Sequence, residues 1–186
     1  RTRPAGTPGD NLGRRLILQP DGKIVMVGNV GAGQCGITRH DANGTPDSSF
    51  GSGGQLLLPI SLGCYNVSQQ PDGKIVIVGN NQTGGVSYGT LIRLLQSGAL
   101  DSGFGANGYQ DISSYDTPGR VAITSSGNLV TSLVIEDSAD GVQKSYVVLL
   151  SGTLAGPWLA QSIAFAPSQS RKRSVAGSKS SRPLVR

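Results

Sequence analysis

The chain has 186 residues and a formal net charge of +5, and this length corresponds to about one domain with a sizeable buried core. Its 28 glycines and its charged fraction of 15% indicate many tight turns and few solvated helices. One histidine and two cysteines are too few for a zinc cluster, an iron–sulfur centre or a site with two histidine ligands, and no apolar run approaches the roughly 20 residues of a membrane-spanning helix.

The positive charge of the chain is concentrated at its two ends. Residues 16–167 contain six basic and ten acidic residues, so the body is mildly acidic, which argues against nucleic acid as a partner. Residues 1–12 form a basic N-terminal segment. Residues 167–186 form a Ser-rich basic tail without apolar periodicity, which predicts a segment that is disordered or ordered by a partner. The basic residues of this tail are Arg171, Lys172, Arg173, Lys179, Arg182 and Arg186.

Two sequence blocks recur along the body of the chain. Residues 19–29 return as residues 70–80 with ten of eleven positions identical. Residues 44–54 return in diverged form as residues 98–108. Internal similarity with a period of about 50 residues indicates an architecture in which one supersecondary unit stacks on the next.

A third, decayed copy follows the two clear ones. Residues 126–130 take the place of the Asp-Gly-Lys-Ile-Val segment, and residues 151–158 take the place of the second block. In this copy Ala155 replaces the Asp and Trp158 replaces the Phe of the second block. We therefore predict three units, which span residues 13–60, 63–114 and 117–166.

The first unit has the pattern of four short strands joined by tight turns. Asp-Gly in its first turn suits a hairpin, because glycine adopts a positive φ without strain and Asp tolerates it. No part of the chain shows the apolar period of a helix, so we expect about twelve short strands and little helix. In chain order the predicted elements are a strand at 16–19, a turn at 20–23, strands at 24–28 and 36–40, a turn at 41–44, a loop at 47–51 and a strand at 55–60.

A tandem array of four-stranded units buries its faces by stacking, and the blade of a propeller is the usual form of such a unit. The predicted fold class is therefore all-β, with tandem four-stranded, β-propeller-like repeats. Three units fall short of the usual four to eight blades. We expect the chain to be a piece of a longer array; the alternatives are association of copies and an open solenoid.

The two blocks together resemble the bacterial delta-60 repeat. They combine Gln-Pro-Asp-Gly-Lys-Ile-Val-x-Val-Gly with Arg-x-x-x-x-Gly-x-x-Asp-x-x-Phe-Gly-x-x-Gly, closely over residues 13–114 and weakly over residues 117–166. The resemblance implies a β-propeller-like array of bacterial secreted or surface proteins, with phage or virion proteins as a second possibility, and it implies no known activity. The Arg of the pattern is matched by Arg39 and Arg93, whereas Val147 is expected at that place in the third unit.

Five residues are candidate anchors of the repeat. Asp47 and Asp101 each follow an Arg by eight residues, and we interpret them as members of buried ion pairs or as caps of backbone N–H groups. A calcium site built from these carboxylates and loop carbonyls is the alternative; otherwise no cofactor is expected. Phe50, Phe104 and Trp158 share one repeat position and are predicted to pack between units rather than to stack on a ligand.

The two cysteines, Cys35 and Cys64, fall outside the repeated blocks. An even number in a chain expected to be secreted is compatible with a disulfide, but the sequence does not supply the separation of the two Cα atoms. Two free buried thiols are the favoured interpretation, and a disulfide is the alternative.

Binding is expected at the loops whose sequence differs between units, because loops on a rigid scaffold commonly carry function. These loops are predicted at residues 30–34, 81–87 and 137–142. The candidate binding residues are Val30, Gly31, Gln34, Asn81, Gln82, Thr83, Asp137 and Asp140.

The expected function is a non-enzymatic scaffold or binding module of a bacterial secreted, cell-surface or virion-associated protein. His40 is the single histidine, and the sequence contains no Gly-x-Ser-x-Gly nucleophile motif with which it could form a catalytic triad. No enzyme activity is therefore expected. The partners considered are a protein, neighbouring repeats, a second copy and a polysaccharide. Two alternatives are an assembly protein that docks through its basic tail, and a hydrolase or lyase that acts on polysaccharide through Asp47 or Asp101.

Overall fold

The computed structural model describes seven stretches of the chain, and within them every regular element is a β-strand. The basic tail and residues 1–11 lie outside the described residues, as do Asp140, Ala155 and Trp158. The described stretches are residues 12–31, 33–58, 62–83, 85–114, 117–137, 142–151 and 159–164.

The strands form three antiparallel four-stranded sheets, each with its strands in chain order. Sheet 1 holds β1 to β4, sheet 2 holds β5 to β8 and sheet 3 holds β9 to β12. The predicted all-β fold of four-stranded repeats is confirmed. The strands are β1 Leu12–Leu18, β2 Ile24–Val30, β3 Gln34–His40, β4 Gln55–Leu57, β5 Leu62–Gln69, β6 Ile75–Thr83, β7 Val86–Leu94, β8 Tyr109–Ser114, β9 Thr117–Ile123, β10 Leu129–Asp137, β11 Val142–Ser151 and β12 Leu159–Ala164.

The first hairpin of each sheet closes with the same backbone geometry. Gly22 and Gly73 have φ values of 84° and 85°, a region that glycine enters freely. Each donates its N–H at 2.9 Å to a carbonyl three residues earlier, that of Gln19 or Gln70. The identical sequence of the two turns therefore gives one structure at two places.

The sheets pack face to face, with one apolar core at each interface between consecutive sheets. Val25, Val27 and Ile37 of sheet 1 pack with Ile75 and Ile77 of sheet 2 in the first core. Alternate residues of a strand point to opposite faces of its sheet.

The residues that alternate with those isoleucines on β6 therefore belong to the second core. Val76 and Val78 pack there with Leu91 and Phe104 of sheet 2 and with Leu129 of sheet 3. Sheet 2 is thus buried on both faces, which explains why β6 begins with a continuous apolar run.

The register of sheet 3 corrects one sequence expectation. Arg39 lies opposite Val25 and Arg93 opposite Val76 in their sheets, but in sheet 3 the residue opposite the equivalent Val130 is Leu149 rather than Val147. Four residues separate β10 from β11, against two between β6 and β7. This longer connection shifts the alignment by two residues.

The prediction of two free thiols is wrong. Cys35 on β3 and Cys64 on β5 form a disulfide, with their Cα atoms 5.1 Å apart, and both residues are fully buried. The packing of sheet 2 on sheet 1 brings together two cysteines that no repeat block marks. The disulfide therefore joins consecutive sheets.

Candidate functional site

The first unit contains a buried cluster of charged residues around Asp47. The Oδ2 atom of Asp47 accepts hydrogen bonds from Arg39 Nε at 2.6 Å and from Lys23 Nζ at 2.7 Å. The Oδ1 atom accepts from the backbone N–H of Ser49 at 3.0 Å and from its hydroxyl at 2.6 Å. The Arg39 guanidinium lies 4.6 Å from the centre of the Phe50 ring. Asp47 is thus both an ion-pair partner and a cap of its own loop.

The second unit repeats this arrangement. Arg93 Nε donates to Asp101 Oδ2 at 2.8 Å, and the N–H of Gly103 donates to Asp101 Oδ1 at 3.1 Å. Lys74 Nζ lies 3.7 Å from Asp101 Oδ2, and Arg93 lies 4.4 Å from the centre of the Phe104 ring. We call each set of Arg, Asp and Phe an Arg–Asp–Phe joint.

The joint of the first unit also contacts the second unit. Arg39 Nη1 donates to the carbonyl of Gln96 at 2.5 Å, and the N–H of Gly51 donates to the carbonyl of Ser97 at 2.9 Å. A Cβ added to Gly98 would lie 3.0 Å from the Phe50 ring, so the turn needs glycine at this position. The joint therefore fixes one unit to the turn between β7 and β8 of the next.

The charges around Asp47 determine what its carboxylate can do. Hydrogen bonds from Lys23 and then from Ser49 hold the pKa of Asp47 well below its ordinary value, so it remains ionised and unsuited to general acid catalysis. Both of its oxygens already accept hydrogen bonds from protein donors. In the described stretches, no group of three or more His, Cys, Asp or Glu residues could hold a metal ion.

Most of the predicted binding residues lie in strands rather than in loops. Val30 and Gln34 end and begin β2 and β3 and pair with each other, while residues 81–83 belong to β6 and Asp137 belongs to β10. Val30 is also buried, which is incompatible with partner contact, whereas Gln82 is exposed. The hairpins are longer than expected because their strands continue past the repeated blocks.

Two neighbouring cavities lie at the opposite end of the sheets, among the first hairpin turns. Their volumes are about 600 and 420 Å³. Both are lined by Asp21, Gln69 and Gln96, so they form one continuous surface that we call the turn groove. Consecutive antiparallel strands reverse direction, so these turns lie away from the predicted loops.

The turn groove is lined mainly by polar side chains from consecutive units. Gln70 donates through Nε2 to the carbonyl of Gly127 at 2.9 Å, and Gln19 occupies the same position of the first unit. Both side chains are more than nine-tenths buried, and their Oε1 atoms have no hydrogen-bond partner among the described residues. Burial acts to raise the pKa of Asp72, but hydrogen bonds from Lys74 outweigh it and hold that pKa below its ordinary value.

The sequence predicts a hairpin turn at the Asp-Gly of the repeated block and does not single out Gln19 or Gln70. The available signal was the identity of Gln19 and Gln70 at the first position of the repeated block.

Comparison with known families gives a match to parts of the first two units. Residues 19–50 and 70–104 match a family model described as Domain of unknown function (DUF5122) beta-propeller. The match supports a β-propeller repeat family. The first matched segment runs from Gln19 to Phe50, and the second runs from Gln70 to Phe104. Each segment therefore begins at a buried glutamine beside the turn groove and ends at the Phe of an Arg–Asp–Phe joint. No curated protein and no solved structure matches the chain.

The described part of the chain contains no helix of the length and apolar character needed to cross a membrane.

Proposed function

We propose that this chain is a non-enzymatic, β-propeller-like scaffold that binds a hydroxyl-rich ligand, a polysaccharide, in the turn groove. The observation that carries the proposal is the lining of the groove by amide and carboxylate groups, Gln69, Gln96 and Asp21 among them. These groups can donate to and accept from sugar hydroxyls.

The charges at the candidate carboxylates favour binding over hydrolysis. Glycosidases need one carboxylic acid of raised pKa to protonate the leaving group. The pKa values of Asp47 and Asp72 are both lowered, and Asp47 is occupied by Arg39 and Lys23. These two residues are therefore suited to hold structure or ligand, not to supply a proton.

The Cys35–Cys64 disulfide supports a location outside the cytosol, because disulfides persist in oxidising compartments. Together with the resemblance to secreted bacterial repeats, it favours a role in a secreted, cell-surface or virion-associated protein.

The proposal is tested by binding to a panel of bacterial polysaccharides, with the chain length of each polysaccharide followed by size-exclusion chromatography. We expect binding without shortening of the polymer. A Gln69→Ala, Gln96→Ala variant should bind about tenfold more weakly, because two hydrogen bonds at about 0.5–1.5 kcal/mol each are lost. The matched control, Asn81→Ala with Gln82→Ala, alters the opposite end and should bind like the natural chain.

Three results would contradict the proposal. Shortening of the polymer would indicate a hydrolase or lyase. Loss of binding only in the control variant would move the site to the predicted loops. Absence of binding to every polysaccharide would exclude this ligand class.

A further inference from the structure

We propose that the first strands of the three sheets carry a second binding surface, whose ligand is an acidic polysaccharide with widely spaced carboxylates. β1 lies against β5, and β5 lies against β9. Each of these strands stands at the end of its sheet, so one of its edges pairs with no other strand of that sheet. We call this surface the edge row and define it by Arg14, Arg15, Tyr65 and Arg120.

A β-bulge occurs at the same place in all three strands. The pairing of β1 with β2 shifts at Arg14, and the pairing of β5 with β6 shifts at Tyr65. In β9 the shift falls at Gly119 and Arg120. A bulge takes a residue out of the regular alternation of side chains, and bulges often re-aim a side chain beside a functional site. The three bulges therefore place one irregular position per unit at a common level of the stack.

The edge row is basic, although the body of the chain is acidic. β1, β5 and β9 contain three arginines and no acidic residue, and β2 and β6 beside them contain no acidic residue either. The three arginines are exposed, and in the described stretches none of them forms an ion pair. Arg39 and Arg93, by contrast, are each paired with an Asp. The guanidinium groups of the edge row are therefore available to a carboxylate, whose two oxygens match their fork of N–H donors.

Tyr65 is the aromatic residue of the edge row, and its neighbours hold it in place. Cys64 before it is fully buried in the disulfide, and Asn66 after it is also buried. The N–H of Cys64 donates to Asn29 Oδ1 of sheet 1 at 2.9 Å. Tyr65 itself is half-buried, and its hydroxyl oxygen lies 2.8 Å from the place of a Cβ on Gly63. The ring thus lies along β5 and offers an apolar face between the arginines of sheets 1 and 3.

The spacing of the arginines determines which anion fits. Stacked sheets lie about 10 Å apart, so Arg14 and Arg120 are about 20 Å apart. Three cations over this length suit an extended polymer better than a single small anion. A nucleic acid strand carries a phosphate about every 3.4 Å, a much denser charge that the acidic body of the chain disfavours. A polysaccharide with uncharged sugars between its carboxylates fits both the sparse charge and the ring of Tyr65.

The edge row is separate from the turn groove. Arg14 precedes Gln19, and Tyr65 precedes Gln69, by four or five residues of extended strand, which is about 15 Å. The two surfaces can therefore be altered independently.

The probe is hyaluronan, a polysaccharide in which every second sugar carries a carboxylate. Its affinity for the full chain is measured by isothermal titration calorimetry between about 0.02 and 0.3 M salt, a range over which exposed charges become screened. We expect binding at low salt that weakens steadily as salt is added. Dextran, an uncharged polysaccharide, should not displace hyaluronan.

Neutral variants assign the binding to the arginines. The edge-row variant is Arg14→Gln, Arg15→Gln, Arg120→Gln. It should bind hyaluronan at least about tenfold more weakly and with a flatter salt dependence, because fewer charges are neutralised on binding. Its circular dichroism should be unchanged, since all three side chains are exposed. The matched control removes three positive charges from the basic tail and should keep its affinity within about twofold; it is Arg171→Gln, Lys172→Gln, Arg173→Gln.

Variants of Tyr65 test the contact with the sugar ring. Tyr65→Leu should weaken hyaluronan binding about threefold and leave the salt dependence unchanged, because it removes no charge. Tyr65→Phe keeps the ring and should bind like the natural chain. The turn-groove variant, Gln69→Ala with Gln96→Ala, should also bind hyaluronan like the natural chain.

Four results would overturn the proposal. Absence of hyaluronan binding at low salt would exclude the ligand class. Equal losses in the edge-row variant and the tail control would show that net charge alone is responsible. A loss of binding in the turn-groove variant would place hyaluronan in the groove. An oligothymidylate that binds more tightly than hyaluronan through the same arginines would make the surface a nucleic acid site.

Discussion

At the scale of single residues, the Arg39–Asp47 pair is the clearest source of stability that can be tested. Removal of one partner from a buried ion pair leaves an uncompensated charge, so Asp47→Ala should lower the free energy of unfolding by about 3–5 kcal/mol. The double variant Arg39→Leu, Asp47→Ala carries the residues of the third unit at both positions and should lose less. Urea unfolding measures both values. A double variant as unstable as Asp47→Ala would contradict a charge-based mechanism.

The same carboxylate gives a prediction for pH. Because hydrogen bonds from Lys23 and Ser49 lower the pKa of Asp47 in the folded chain, folding favours its ionised form. An unfolded Asp titrates near 3.9, so this contribution is fully present above about pH 5 and is lost as the pH falls below about 4.

The free energy of unfolding should therefore decrease below about pH 4, and Asp47→Asn should flatten that decrease. Urea titrations between about pH 6 and 2.5 measure the slope. Equal slopes for the two proteins would show that Asp47 does not contribute.

At the scale of elements, the disulfide between β3 and β5 makes sheets 1 and 2 depend on each other. Its reduction should cost about 2–4 kcal/mol, because a cross-link restricts the unfolded chain. Chemical unfolding with and without dithiothreitol measures this cost, and the Cys35→Ala, Cys64→Ala variant should not respond to dithiothreitol. An unchanged midpoint of the natural chain after complete reduction would contradict the prediction.

The strands could be predicted where turn chemistry and apolar alternation agree. The Asp-Gly turn fixes the two strand ends that it joins, so the start of β2 at Ile24 matches the sequence prediction. The third unit has no Arg or Asp to mark its second block. Two added residues between β10 and β11 therefore place Leu149, and not the expected Val147, opposite Val130. The disulfide could not be predicted, because it depends on how two sheets pack.

At the scale of the whole molecule, the turn groove could not be predicted from one repeat. Its lining comes from turns of three units, and only their packing side by side brings Gln69 and Asp21 to one surface. The variable hairpins stood out in sequence because they differ between units. The groove combines turn residues that the first two units share, such as Asp21 and Asp72, with Gln69 and Gln96, which no repeat block marks. The loops predicted from sequence variation therefore lie at the end of the sheets opposite to the turn groove.

Sheet 2 is held between sheets 1 and 3, and native-state hydrogen exchange measures how far the three sheets depend on one another. We expect the amides of β6 and β7 to exchange only through global unfolding, because both faces of sheet 2 are buried. The disulfide and the Arg39 joint should bring β2 and β3 close to the same opening free energy. The amides of β10 should open at lower free energy. Three sheets that open independently, or β6 amides that exchange as fast as those of β10, would contradict an arrangement in which sheet 2 is held between the other two.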